Sequence, residues 1–121
     1  MDRRRGDLRR SFDRVVRRLG SDVASRMSRE ALLGEVMLEV APCLYLSVDR
    51  GVEIVRGYLR GGVGYLDSFK SAVAHDRAVY LVMEVMPLVA LGIGIEDAVC
   101  RVVCCEAPSY YVSCDTIRRI I

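Results

Sequence analysis

Along residues 7–19 the apolar side chains Leu8, Phe12, Val15, Val16 and Leu19 recur at i, i+4, i+7, i+8 and i+11, the one-sided stripe of an amphipathic helix. Gly20 supplies the stop. At 3.6 residues per turn Arg3, Arg10, Arg14 and Arg17 fall on the opposite side, with Arg9 and Arg18 flanking. Gly6 is expected to fray the turn that carries Arg3, Arg4 and Arg5. One helix therefore offers an apolar face and a guanidinium face.

Behind Ser28, a good N-cap, Ala31, Leu32, Leu33, Val36, Met37, Leu38 and Val40 cover more than half the circumference of a helix over 29–41, which reads as largely buried and ends before Pro42. Ser47 or Asp49 can cap a segment to about Arg60, in which Val48, Val52, Val55 and Leu59 repeat at helical spacing. Gly51 and Gly57 weaken that helix, and two readings of 50–66 stand side by side. The preferred one is a helix followed by a glycine loop. The other is a hairpin with strands at 52–59 and 63–66 around Arg60, Gly61 and Gly62. Gly57, Gly61, Gly62 and Gly64 do not make a phosphate-binding loop, because no Gly-Lys-Ser/Thr follows and no clear strand precedes them.

Asp67 or Ser68 can start a short helix to His75, and Asp76 a long one from Arg77 to about Leu91, kinked at Pro87. Residues 78–95 are strongly apolar, with Glu84 their one charge, yet they fall short of the ~20 residues of a membrane span and suit the centre of a bundle better. Ile95 or Glu96 opens a further helix to about Cys105 that buries Ala98, Val99, Val102 and Val103. Ala107 and Pro108 end it, and Ser109, Tyr110, Tyr111 and Val112 read as an exposed connection. Ser113 then caps a last turn with Ile117, Ile120 and Ile121 facing inward. The pattern predicts an all-α fold: an Arg-rich amphipathic N-terminal helix over 1–20, then an apolar helical bundle over 21–121 that self-associates, with about five to six helices.

Charge changes this picture at one end. Residues 1–30 hold ten arginines against five acids, a net +5, whereas residues 31–121 hold eight basic groups against eleven acids, a net −3. The first eighteen residues alone hold eight arginines against three acids. Arginine–aspartate pairs at i+3 and i+4 along a merely solvated helix would absorb only part of this excess. Phosphates would neutralise the rest, and the planar guanidinium matches them. Seventeen of the eighteen basic residues are arginine, Lys70 being the exception, and Asn and Gln are absent. The missing amides point to a hot environment, although a G+C-rich genome would give the same arginine bias.

Little in the chain supports catalysis. His75 is the single histidine, and beside Asp76 its simplest place is a helix start. The carboxylates are scattered, without a spacing that puts two in one pocket. Cys43, Cys100, Cys104, Cys105 and Cys114 contain no C-x-x-C pair, and a metal would need the last four to converge, so buried thiols are the expectation. With a charged N-terminus and no apolar signal region, synthesis in the cytoplasm is expected. A bridge from Cys43 to the C-terminal cluster is compatible with a hyperthermophile. The expectation is a non-enzyme without cofactor or metal.

The order of features, Asp2-Arg3-Arg4-Arg5 through Arg17-Arg18 and then the apolar segments 29–41, 77–91 and 95–105, resembles the major coat proteins of filamentous and rod-shaped double-stranded DNA viruses of hyperthermophilic archaea. The resemblance implies that basic N-terminal helices of paired subunits wrap the duplex, held in A-form, while the bundles build an outer wall. It makes Arg3, Arg4, Arg5, Arg9, Arg10, Arg14, Arg17 and Arg18 the phosphate contacts, binding sequence-tolerant, and a virion the final location. The main alternative is a small dimeric transcription regulator or chromatin protein of a hyperthermophile, in which 95–105 and the last turn, with Thr116, Arg118 and Arg119, act as a helix-turn-helix. A peripheral or single-span membrane protein is the third reading.

Overall fold

The computed structural model describes residues 3–112 and 117–119. Ser113, Cys114, Thr116, Ile120 and Ile121, and the expectations attached to them, lie outside the described residues. The protein is all-α: α1 (Arg3–Leu19), α2 (Ser21–Arg26), α3 (Arg29–Met37), α4 (Val48–Asp67), α5 (Ala72–Ala90) and α6 (Ile95–Val103), with a further helical turn at 117–119. One isolated antiparallel bridge joins Ala41 and Ala107, which exchange N–H···O=C bonds of 2.8 and 2.9 Å. Two compact units result, Met1–Pro42 with Ala107–Ile121, and Cys43–Glu106. The boundary thus falls at Pro42 and Ala107, not after residue 20, because α1 packs on α2 and α3.

In the first unit α1 is helical from Arg3, so Gly6 does not fray it, and Gly20 at φ 86° ends it in a backbone region that favours glycine. Its buried line is Asp7, Leu8, Ser11 and Val15, while Phe12, Val16 and Leu19 are half-buried. Ser28 caps α3, its Oγ accepting from the Ala31 N–H at 3.1 Å. That helix stops at Met37, short of Ala41, because Ala41 is drawn into the bridge with Ala107 and the residue before a proline avoids helical geometry. Nor is the segment largely buried: Leu33 and Val36 face the core, whereas Leu38 is 77% and Val40 52% exposed.

The returning segment is the other departure. Tyr110 and Val112, expected in an exposed connection, are buried, as is Ile117. The Tyr110 hydroxyl donates to the Asp7 carbonyl at 3.3 Å and lies 2.5 Å from Ser11 Oγ, which accepts from Arg14 at 2.7 Å. Arg118 grips Glu30 with two 2.7 Å bonds, and this hydrogen bond holds the Glu30 carboxyl below its usual range. A carboxylate with a depressed folded pKa lends stability above its unfolded pKa and loses it as pH falls through the folded value. Glu30→Gln should therefore lower stability slightly at neutral pH, where the carboxylate contributes, and match the parent at acid pH, so that the acid limb of the stability–pH curve flattens; acid titration monitored by circular dichroism checks it, and an unchanged acid limb would refute the linkage.

In the second unit, Ser47 caps α4 through the Arg50 N–H at 3.1 Å. The helix runs on through the glycines to Asp67, so neither a glycine loop nor a hairpin forms, and the one break is Gly62 at φ 61° and ψ −149°. Gly51 admits α6: a Cβ there would stand 2.6 Å from Val99 Cγ1. α4, α5 and α6 pack mutually around Ile54, Val55, Leu81, Val85, Ala98 and Val99. Ser71, not Asp76, caps α5 through the Ala74 N–H, giving one helix that continues past Pro87 where two were expected. α6 buries Ala98, Val99, Val102 and Val103 as its spacing predicts. After α6 the described residues 106–112 form no helix, and the helix-turn-helix reading also rests on Thr116, outside the described residues.

Candidate nucleic-acid interface

With Asp7, Leu8, Ser11 and Val15 turned inward, the outer face of α1 is set by helical geometry: Arg3, Arg10, Arg14 and Arg17 form a row about 21 Å long at 1.5 Å per residue, with Arg9 beside it. All five are exposed, as are Arg5 and Arg18 on the flanks. Arg4 is the exception among the eight expected contacts, half-buried on the side of Ser11 and Val15. Asp13 is the exposed carboxylate on this face, in a shallow cleft with Arg10, Arg14 and Arg17.

Several guanidiniums have a second employment inside the fold. Asp7, almost wholly buried, is bonded by Arg10 and lies 3.6 Å from Arg3 Nε. Arg14 bonds Ser11, and Arg18 bonds Glu35 at 3.0 Å. These contacts orient four arginines and leave other N–H groups of each fork facing water. Arg5 and Arg17 have no ion-pair partner among the described residues. Burying Asp7 takes its carboxylate off the exposed face, an effect that spacing alone did not reveal.

The interface also has members that local sequence reading missed. Over the whole chain the first unit holds twelve arginines against eight acids, a net +4, and the second six basic groups against eight acids, a net −2. Arg118 and Arg119 belong to the basic unit because the segment from Ala107 returns to it. Exposed Arg26, Arg29 and Arg119 extend its positive surface.

Elsewhere, Cys43, Cys100, Cys104 and Cys105 are free thiols, the last three exposed rather than buried. The neighbouring Cys104 pushes the Cys100 thiol above its ordinary pKa, which keeps it in the less nucleophilic protonated form. His75 stands 3.5 Å from Asp67 and 3.3 Å from Asp76 at the start of α5. Among the described residues no group of three or more His, Cys, Asp or Glu could hold a metal ion, and no helix is long and apolar enough to cross a membrane. Comparison with known protein families, curated proteins and solved structures finds no match.

Proposed function

We propose that the protein is a structural nucleic-acid-binding protein that coats or packages double-stranded DNA in a sequence-tolerant way, in the manner of a virion coat protein, with no catalytic step. The observation that carries the reading is the exposed arginine row of α1, faced by a single exposed carboxylate on its own helix and held by a packed core behind it. Such a surface attracts phosphate by counterion release. Exposed apolar side chains, Leu38 and Val40 in one unit and Leu59, Met83 and Leu91 in the other, supply contacts for association with further copies. No Asn or Gln is present to make the usual bidentate contacts to adenine, which favours backbone binding over sequence reading.

Fluorescence anisotropy with unrelated duplexes across a salt series tests it. If four to six arginines reach phosphates, the log–log salt slope should be roughly −4 to −5, nearly the same for every sequence. Deleting residues 1–20 would strip Leu8 and Val15 from the core, so the informative variant is Arg5→Gln/Arg9→Gln/Arg17→Gln, which leaves the core intact. Its slope should shrink by about three, one for each lost contact. Absence of binding at low salt, or equal slopes for the two proteins, would overturn the proposal.

A further inference from the structure

In the second unit a cleft of ≈ 530 Å³ opens along the outer face of α4 and reaches Glu96 in the first turn of α6. Arg56 and Arg60 stand in it one helical turn apart, both exposed, and neither has an ion-pair partner among the described residues. Like charges at i and i+4 repel, and among the described residues no ion pair offsets that repulsion, although carboxylates line the same cleft. Arg50 is already engaged, bonded to Glu53 at 2.8 Å and lying 5.8 Å from the Phe69 ring. Asp49 and Glu96 add two carboxylates to the same cleft.

The aromatic wall is built with unusual care. Tyr65 lies directly over Gly57, where a Cβ would overlap its ring, and a Cβ at Gly61 would stand 3.0 Å from Tyr65 Cβ. Gly62, at positive φ, breaks the helix between them and turns the last stretch of α4 so that Tyr65 comes back onto it. Phe69 meets Tyr65 edge-on at 5.5 Å. Glycines that resemble no phosphate loop thus serve to seat one half-buried ring beside two arginines that form no ion pair among the described residues.

The charge balance narrows the ligand. Three arginines face three carboxylates across this cleft. A bare anion would meet repulsion from Asp49 and Glu96, and a bare cation would meet it from Arg56 and Arg60. A ligand with an anionic end, hydroxyl donors and a flat ring satisfies all the groups at once. We infer that the cleft binds a nucleoside monophosphate, its phosphate held by Arg56 and Arg60, its base against Tyr65 and its sugar hydroxyls donating to Asp49 and Glu96. This site lies on the second unit and does not depend on the arginine row of α1.

Calorimetric titration of the full chain with adenosine and uridine 5′-monophosphates, adenosine and inorganic phosphate tests the inference. The monophosphates should bind with a Kd at or below about 1 mM, and adenosine and phosphate each about tenfold more weakly. Arg56→Gln/Arg60→Gln and Tyr65→Leu should each weaken the monophosphates roughly tenfold, the first by removing charge-assisted bonds and the second by removing stacking. The thermal melt of Arg56→Gln/Arg60→Gln should stay unchanged, since both side chains are exposed. Arg5→Gln/Arg9→Gln/Arg17→Gln should leave this binding intact even where it abolishes DNA binding. Phosphate binding as tightly as the monophosphates, monophosphate affinity indifferent to Arg56→Gln/Arg60→Gln, or no heat from either monophosphate would overturn the inference.

Discussion

Tyr110→Ala is expected to destabilise the first unit by about 3–5 kcal/mol, the range for deleting a large buried aromatic side chain. The ring is 3% exposed and its hydroxyl completes a closed set of donors and acceptors. Because that hydroxyl gives its hydrogen to the Asp7 carbonyl, Ser11 Oγ gives its own to the tyrosine oxygen and accepts from Arg14. Tyr110→Phe keeps the ring but removes the acceptor of the Ser11 hydroxyl hydrogen, at a residue whose exposure is 0%, and should cost about 1–3 kcal/mol. Urea unfolding followed by circular dichroism separates the two losses. If Tyr110→Phe and Tyr110→Ala lose the same amount, packing of the ring contributes nothing and the hydroxyl alone holds the segment. If neither loses stability, the returning segment is not part of this core at all.

Ile54→Ala should be the most damaging truncation in α4, at about 2–5 kcal/mol, because its side chain is 1% exposed among three mutually packed helices. Leu59→Ala, with half the residue in water, should cost less than about 1 kcal/mol. The contrast is informative because the helical stripe Val48, Val52, Val55, Leu59 points to Leu59 as an inward residue and passes over Ile54. Urea midpoints at low protein concentration decide between the two faces. Equal losses, or a larger loss for Leu59→Ala, would mean that α4 is rotated from the orientation described.

What could be read from sequence was whatever a single helix decides for itself. The one-sided helix over 7–19, its stop at Gly20, the cap at Ser28, one of the two caps offered for α4 (Ser47) and the buried set of α6 follow from local periodicity and hydrogen bonding, and are present. The misreadings have a common cause in tertiary structure. Ala41 leaves a favourable helical pattern to pair with a residue 66 positions away. Tyr110 and Val112 are buried because a segment distant in sequence covers them. Gly57 and Gly61 weaken a helix in isolation, yet the helix persists because Tyr65 packs where their side chains would be. On the candidate interface seven of the eight anticipated arginines are exposed, and Arg4 is drawn inward by the rotation of the buried line towards Asp7, Leu8, Ser11 and Val15. A polar residue such as Asp7 on an inward face gives no apolar signal to be counted.

The bridge between Ala41 and Ala107 sets an order on the ribosome. The second unit is contiguous, residues 43–106, and can close as soon as Glu106 has emerged. The first unit is split and waits for the chain beyond Ala107. Until Tyr110 arrives, Ser11 and the Asp7 carbonyl lack the hydroxyl that pairs with them, while the arginines on the far side of α1 are already made. The arginine face of α1 is therefore fixed in place only once the segment that follows Ala107 has packed behind it.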